Sequence, residues 1–414
     1  MATNIKPKTI FTGDNLPIMR GINSESIDLI YLDPPFNSKA NYAAPIGSVA
    51  AGAEFKDTWT LDDVDNAWLD LIETKYSALN RVIHAALTNS DKSYLIYMAT
   101  RLLEMKRILK DTGSIYLHCD PTMSHYLKLI MDAVFGKANF RNEVIWRKYG
   151  GHKNTARRKF TTENDVILFY SVGKTYNFNP VYRPLSEQTI KSEYKHIDEN
   201  GRRYSIPRGR RYRQGIVKRV YLDTHPGVAI GNLWHEKELT MQGRDDERTG
   251  YPTQKPLALL DRIIKVSSNE GDVVLDPFCG CATTCVAADR LQRNWIGIDI
   301  SGKAAELVVE RIKADQGLFQ EIVARTDIPK RTDLGDIPRY NAPQNRTRLY
   351  GEQEGYCNGC GEHFQMRNLE VDHIIAETNG GTDHIGNLQL LCSHCNRVKG
   401  DRGQEYLISR LNKD

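Results

Sequence analysis

Apolar and polar positions alternate along this chain in two rhythms. Ile27 to Leu32 is a nearly unbroken apolar run, which predicts a strand covered on both faces. Asp33-Pro34-Pro35-Phe36 follows; two prolines cannot donate to a sheet ladder, so the strand must stop there. From about Ser93 to Lys110 the apolar residues Leu95, Met98, Leu102, Met105 and Leu109 are spaced by 3, 4, 3 and 4, the period of a helix. Gly113 reads as its stop, Ile115 to Cys119 as a strand, and Asp120 and Pro121 as the cap and first turn of the next helix. Regular pattern resumes at Pro256. Helices are expected at Leu257–Ser268, Ala282–Leu291 and Ala304–Ala314, with strands at Val273–Leu275 and Trp295–Ile298. Strands alternating with helices imply an α/β fold with a largely parallel sheet.

The stretches between are informative in a different way. Residues 37–57 are rich in Ala and Gly without clear period and read as a long loop of the kind that forms lids. Residues 150–245 are irregular and rich in Arg and Tyr, with Tyr204 and Tyr212 interleaved among the arginines of Arg202 to Arg219. Residues 321–350 are polar, include three prolines and read as a linker.

Composition bounds what such a chain can be. With 414 residues, 40% of them apolar, there is room for two or three domains with ordinary cores. No stretch approaches the roughly 20 apolar residues of a membrane span, and Met1 to Lys8 lacks a signal-peptide core. A cytoplasmic protein is therefore expected, with no membrane partner. The net charge of +4 conceals a local excess: Arg147 to Arg219 holds 18 Lys/Arg against 6 Asp/Glu. Such a basic middle, including Arg208, Arg210, Arg211 and Arg213, suits phosphate contact and base stacking on a polyanion.

The chemistry sits at strand ends. At Asp33–Phe36 a stiff turn offers one carboxylate, free carbonyls and one ring. A flat amine-bearing ring could stack on Phe36 and give its amine hydrogens to Asp33 and the Pro34 carbonyl. By itself the same sequence would also serve as a proline turn closing a strand. Asp276-Pro277-Phe278-Cys279-Gly280 lies between a strand and a helix, and Asp299 ends the next strand. A tight turn with an acid about 20 residues on can hold a ribose. One glycine is too few for a dinucleotide fingerprint, and the acid at the turn would repel a pyrophosphate but suit a cationic amine. S-adenosylmethionine (SAM) meets that requirement; a phosphate-binding Rossmann unit is the alternative.

Together these segments resemble the amino-group DNA methyltransferases of the permuted β class. In that family the DPPY/F motif precedes the cofactor motif, with a target-recognition region between. The resemblance runs over about residues 9–315 and also takes in Gly113-Ser114-Ile115-Tyr116-Leu117-His118-Cys119-Asp120, Thr253-Gln254-Lys255-Pro256 and Gly297-Ile298-Asp299. It implies a Rossmann-like SAM-dependent methyltransferase fold with a mostly parallel sheet and an inserted target-recognition region. It also implies roles: Asp33 and Pro34 accept the target amine and Phe36 stacks on the flipped base. Asp276, Phe278 and Gly280 line the SAM pocket, Asp299 binds the ribose, Lys255 lies in a segment closing over the cofactor, and Asp14 serves the adenine end. The substrate implied is double-stranded DNA, with adenine N6 favoured over cytosine N4 because Asp33 leads the motif, and with the homodimer common in the family as the expected assembly. Ala282 departs from the family's usual Gly, and tighter packing near the cofactor is expected there.

Eight cysteines complete the picture. Cys119, Cys279, Cys281 and Cys285 read as small buried residues. Cys357, Cys360, Cys392 and Cys395 form two Cys-x-x-Cys pairs, the spacing of a closed tetrahedral zinc site. With Asp372, His373, Asn387 and Asn396, residues 351–402 resemble an HNH nuclease finger, a small ββα-metal zinc finger domain. That resemblance implies His373 as the base that activates water, Asp372 and Asn396 as ligands of a catalytic Mg²⁺ or another divalent cation, and Asn387 as a brace that orients His373. His363, His384 and His394 read as surface residues, and a zinc ribbon that only binds DNA is the alternative. The expected order is a methyltransferase catalytic part at 1–149, a target-recognition region at 150–245, a SAM-binding part at 246–320, a linker at 321–350 and an HNH domain at 351–414. Such a fusion would be a restriction–modification protein.

Overall fold

The computed structural model describes residues 2–411 apart from 39, 46–47, 52–53, 62–67, 70–71, 73–75, 149–159, 207–218, 243–246 and 317–320. The arginines 208, 210, 211 and 213 lie outside the described residues. Two compact units emerge, one formed by residues 1–177 and 233–414 and the other by Phe178–Asn232.

A nine-stranded sheet organises the larger unit. Its strands are β1 (Thr9–Thr12), β2 (Ile27–Leu32), β3 (Leu109–Cys119), β4 (Phe140–Arg147), β5 (Asn164–Ser171), β6 (Leu233–Trp234), β7 (Val273–Asp276), β8 (Asn294–Asp299) and β9 (Val323–Arg325). Their order is β6-β4-β5-β3-β2-β7-β8-β1-β9. β5 runs antiparallel to both neighbours and every other pairing is parallel. β2 is buried at all six positions, as its apolar run requires of a strand covered on both faces.

The pairing explains how distant segments meet. β2 lies beside β7, with Val274 against Leu29 and Leu275 against Ile30, so the turns after Leu32 and Leu275 leave the same edge. β8 and β1 complete that edge, Thr12 pairing with Asp299. Ligands of open α/β sheets bind in such a crevice outside the carboxyl ends of the strands.

Several elements differ from expectation. The helix expected from Ser93 begins at Asn89, where the Thr88 side chain caps the Asp91 N–H at 3.1 Å, and it ends at Ile108. Leu109 already belongs to β3, and Gly113 lies within that strand rather than stopping the helix. Between Leu109, opposite Ile27, and Ser114, opposite Leu29, the strand bulges. A Cβ on Gly113 would stand 2.9 Å from the Lys110 carbonyl oxygen, so the glycine permits the bulge. Asp120 caps a turn at Thr122 and Met123, and the following helix starts at Ser124. The loop 37–57 carries a hairpin of Ala40–Ala43 with Glu54–Asp57, tied at its base by Asn37 and Ser38 N–H bonds to the Asp57 carboxylate at 2.6 and 2.8 Å. Within 150–245, β5 and β6 belong to the central sheet, so the separate unit is the narrower 178–232. That unit holds small antiparallel pairings and stacked side chains, with Arg202 over Tyr221 and Arg219 over Tyr204.

The stretch expected as a linker is strapped down. β9 adds to the sheet edge beside β1, and residues 331–333 bond the loop after the short helix α1 (Asn15–Arg20). Asn23 exchanges bonds with Thr332 at 2.8 and 2.9 Å, and the Ser24 N–H reaches Asp333 at 2.8 Å. Beyond it, helix Pro343–Glu352 leads into an antiparallel pair, Leu369–His373 with Leu388–Cys392, followed by helices Ser393–Lys399 and Gln404–Leu411. This module has its own buried cluster, including Leu349, Leu369, Leu390, Leu391 and Leu407.

Candidate active site

A cavity of about 820 Å³ opens at the shared strand edge, lined by Asp14, Asp33, Pro34, Phe36, Tyr251, Lys255, Asp276, Phe278, Gly280 and Asp299 among others. The proline turn and the two acids expected at a cofactor are thus walls of one space.

Gly280 has φ +48, and a Cβ there would approach Tyr251 to 2.9 Å, so the turn after β7 requires glycine. The Gly280 N–H bonds one Asp299 carboxylate oxygen at 2.8 Å, and the Ser301 N–H bonds the other at 2.9 Å. Burial pushes the Asp299 carboxyl up, against these two bonds. Asp276 is more deeply held. Burial raises its pKa to about 7; bonds from Thr284 and the Phe278 N–H oppose the rise, and the charges of Asp33 and Asp299 add to it. A cationic ligand in this cavity would meet carboxylates that gain by its charge. Ala282, where glycine is usual in the family resembled, sits at φ 64 and ψ 27 and is fully buried. The reason for glycine is therefore backbone conformation, and the alanine carries left-handed strain rather than only added packing.

Asp14 caps α1 at the Leu16 N–H and pairs with Arg101 at 2.8 Å. Arg101 in turn bonds Asn15 at 2.7 Å and lies 3.4 Å from the centre of the Tyr97 ring. Arg101 was not singled out in the sequence, although a cation inside an apolar helix pattern was a signal.

At the proline turn, Asp33 is paired with Lys255 through Oδ2. The two residues stand 222 positions apart. Lys255 also bonds the Thr253 carbonyl at 3.1 Å and lies 5.5 Å from the centre of the Phe36 ring. Lys255 therefore contacts the carboxylate of the proline turn as well as lining the cavity. Among the described residues, Asp33 Oδ1 is buried without a hydrogen-bond partner. A buried acceptor left so is costly unless a donor arrives, and an amine hydrogen is such a donor. The cavity, its acids and this orphaned oxygen fit SAM beside an amine.

In the C-terminal module the four ligand sulfurs of Cys357, Cys360, Cys392 and Cys395 lie within 4.8 Å of one another. Burial pushes the Cys357 thiol up, but N–H bonds from Cys392, Gly359 and Cys360 outweigh it and favour the thiolate. The donor set fits zinc. His373 Nε2 bonds Asp383 Oδ1 at 2.7 Å, and the Tyr340 ring lies 4.8 Å away. Asn387 bonds Ile375 and the Thr382 carbonyl, bracing the loop beside Asp383; the contact to His373 itself is made by Asp383, which no sequence pattern announced. Asp372 pairs with buried Lys399 at 2.9 Å and Asn396 bonds Glu370 at 2.5 Å. The strand and helix carrying these expected Mg²⁺ ligands thus face each other, with protein groups on both ligands.

Comparison with known proteins gives two family matches. Residues 27–310 match the family described as DNA methylase, and residues 357–402 match HNH endonuclease. The type II methyltransferase M.EcaI of Enterobacter cloacae is 32% identical over 315 residues, 64% of this chain and 68% of its own. The DNA adenine methyltransferase YhdJ of Escherichia coli strain K12 is 25% identical over 336 residues, 80% of this chain and 93% of its own. A solved cytosine-N4-specific PvuII DNA methyltransferase covers 78% of this chain and 98% of its own, at 13% identity and a TM-score of 0.38.

Proposed function

The chain belongs to the DNA methylase family and carries an HNH endonuclease domain, and from that premise we propose a bifunctional enzyme. One part is a SAM-dependent methyltransferase acting on the exocyclic amine of a flipped base, adenine N6 in preference to cytosine N4. The other cuts DNA with a divalent cation, Mg²⁺, and structural Zn²⁺. Methylation would then shield the target from cutting, as in restriction–modification. The adenine preference rests on Asp33 leading its motif and on the likeness to the DNA adenine methyltransferase YhdJ; an N4-cytosine enzyme is the alternative. A homodimer is proposed from the family's habit. The proposed layout is a methyltransferase divided around a target-recognition insert, with the HNH module following the strap.

The observation that carries the reading is the unpartnered Asp33 Oδ1 in the cavity shared with Asp276 and Asp299. When bound, SAM supplies a methyl group on a positively charged sulfur, an electrophile. Asp276 and Asp299 would hold it, with Phe278 and Gly280 shaping the wall. A base amine is a poor nucleophile because its lone pair is delocalised into the ring. Asp33 Oδ1 and the Pro34 carbonyl accept hydrogen bonds from its two N–H groups, which favours a pyramidal nitrogen with its lone pair available. Lys255 fixes Oδ2, so the carboxylate cannot turn Oδ1 away. Phe36 gives the base a stacking face. The work is positioning and charge stabilisation, on a base that has left the duplex stack.

In the HNH module, His373 would take a proton from water while Asp372 and Asn396 exchange their present partners for the cation. Asn387 holds the loop that sets His373.

Asp33→Ala should abolish transfer of tritiated methyl groups from SAM to unmethylated bacterial DNA while SAM binding survives; retained transfer removes the assignment. His373→Ala should abolish Mg²⁺-dependent cutting and leave methylation. If the unaltered protein never cuts unmethylated DNA with Mg²⁺ present, the module is a DNA-binding zinc finger instead.

A further inference from the structure

Phe36 has two faces, and one of them rests on a histidine with no part in the chemistry above. The His118 ring lies 6.0 Å from the Phe36 ring, centre to centre, at an interplanar angle of 26°. Trp146 meets His118 edge-on at 5.4 Å. His118 is wholly buried, on β3 beside β2.

Its hydrogen bonds leave little freedom. Nδ1 lies 2.9 Å from the Tyr31 hydroxyl and Nε2 lies 3.2 Å from Asp165 Oδ2. Asp165 is a carboxylate whose other oxygen is bonded by Lys148, and a carboxylate only accepts. His118 must therefore donate from Nε2 and accept at Nδ1 from the Tyr31 hydroxyl. Burial lowers the His118 pKa and the charge of Lys255 lowers it further, outweighing the opposite pull of Asp33 and Asp165, a direction that favours the neutral ring. Burial also holds the Tyr31 hydroxyl protonated, as a donor. A chain of bonds thus crosses the sheet from β2 through β3 to β5, and its middle member is clamped at both nitrogens. Water could not replace it, since Tyr31, His118 and Asp165 are all nearly inaccessible.

We propose that His118, clamped between Tyr31 and Asp165, is a positioning residue that sets the plane of Phe36 and hence of the target base. This rests on the reading of Phe36 as the base-stacking ring. A ring free to tilt would misplace the amine from Asp33 Oδ1, and misplacement by about 1 Å can cost a hundredfold in rate.

The test is a double-mutant cycle on the full-length protein, with rates of tritiated methyl transfer at saturating SAM and saturating unmethylated genomic DNA. His118→Ala should lower that rate by roughly tenfold to a hundredfold while SAM affinity, measured by calorimetry, stays within about twofold. In a Phe36→Ala background, His118→Ala should cost almost nothing more, because its effect passes through the missing ring. Equal losses in both backgrounds overturn the proposal. Should His118→Ala fail to fold, Tyr31→Phe and Asp165→Ala each remove one clamp and leave the ring; unchanged rates in both also overturn it. If Phe36→Ala alone keeps full activity, the stacking role of Phe36 fails instead, and the two failures are told apart.

Discussion

Asp276 shows how one side chain joins recognition to proton balance. Burial raises its pKa to about 7, and the neighbouring charges of Asp33 and Asp299 contribute. Because the folded value lies above the unfolded one, the group's contribution to stability is fully present below the ordinary carboxylate range and is lost as pH rises through about 7. A cation in the cavity acts in the opposite sense, since it favours the carboxylate and binding releases the proton. SAM affinity should therefore rise with pH below about 7, by at most about tenfold per pH unit, and level off above. Titration calorimetry at pH 6, 7 and 8, in buffers of different ionisation enthalpy, reads both the affinity and the released proton. Asp276→Asn should bind more weakly and without this slope. Its pH profile also serves to subtract titration of the ligand's own amine; identical slopes in the two proteins would place the titrating group elsewhere.

At the scale of elements, the strap over residues 323–333 makes the sharpest prediction. Gly21 ends α1 at φ −82, a conformation any residue adopts. An alanine Cβ there would nevertheless stand 1.9 Å from the Pro329 carbonyl oxygen. Gly21→Ala should push the strap off the 21–24 loop, cost roughly 1–3 kcal/mol and lower the melting temperature by a few degrees. Residues 326–342 should become open to limited proteolysis; an unchanged melt with unchanged resistance would refute the close approach. The strap was illegible in the sequence because its polar residues, Asn23, Thr332 and Asp333, have no periodicity and gain meaning only from partners some 309 positions away. β5 was hidden for a related reason: its apolar run lies inside a basic, irregular stretch, and only its antiparallel partners β3 and β4 identify it as sheet. By contrast β2, the turn at Asp33 and the acids at 276 and 299 were readable, since prolines stop strands locally and an acid at a strand end has few other reasons. Lys255 was readable as a motif member, but its partner was not, since side-chain pairing across the crevice depends on the order β2-β7. Asp383 had no local signal at all.

For the whole molecule the question is whether the methyltransferase and the HNH module share one folding unit. The C-terminal module's buried residues form a cluster that shares no member with the main core. Among the described residues, the contacts that join the two include β9 on the sheet edge, the strap, and Gly380, whose Cβ position lies 2.6 Å from the Pro17 carbonyl oxygen. Separate apolar cores joined by such contacts should couple their stabilities only weakly. A core this small would lean on a metal at the four cysteines, because structural zinc contributes on the order of 10 kcal/mol or more to such folds. Stripping zinc with a strong chelator should therefore unfold the module beyond the strap and abolish cutting. Methyl transfer should persist within about twofold, because β1, β2, β7 and β8 close the cavity without the module. Calorimetric scans should show the lower transition disappear with the zinc and return when zinc is restored, with the upper transition unmoved. Loss of methyl transfer in step with the metal would mean that the strap transmits unfolding into the sheet, and that the two modules stand or fall as one.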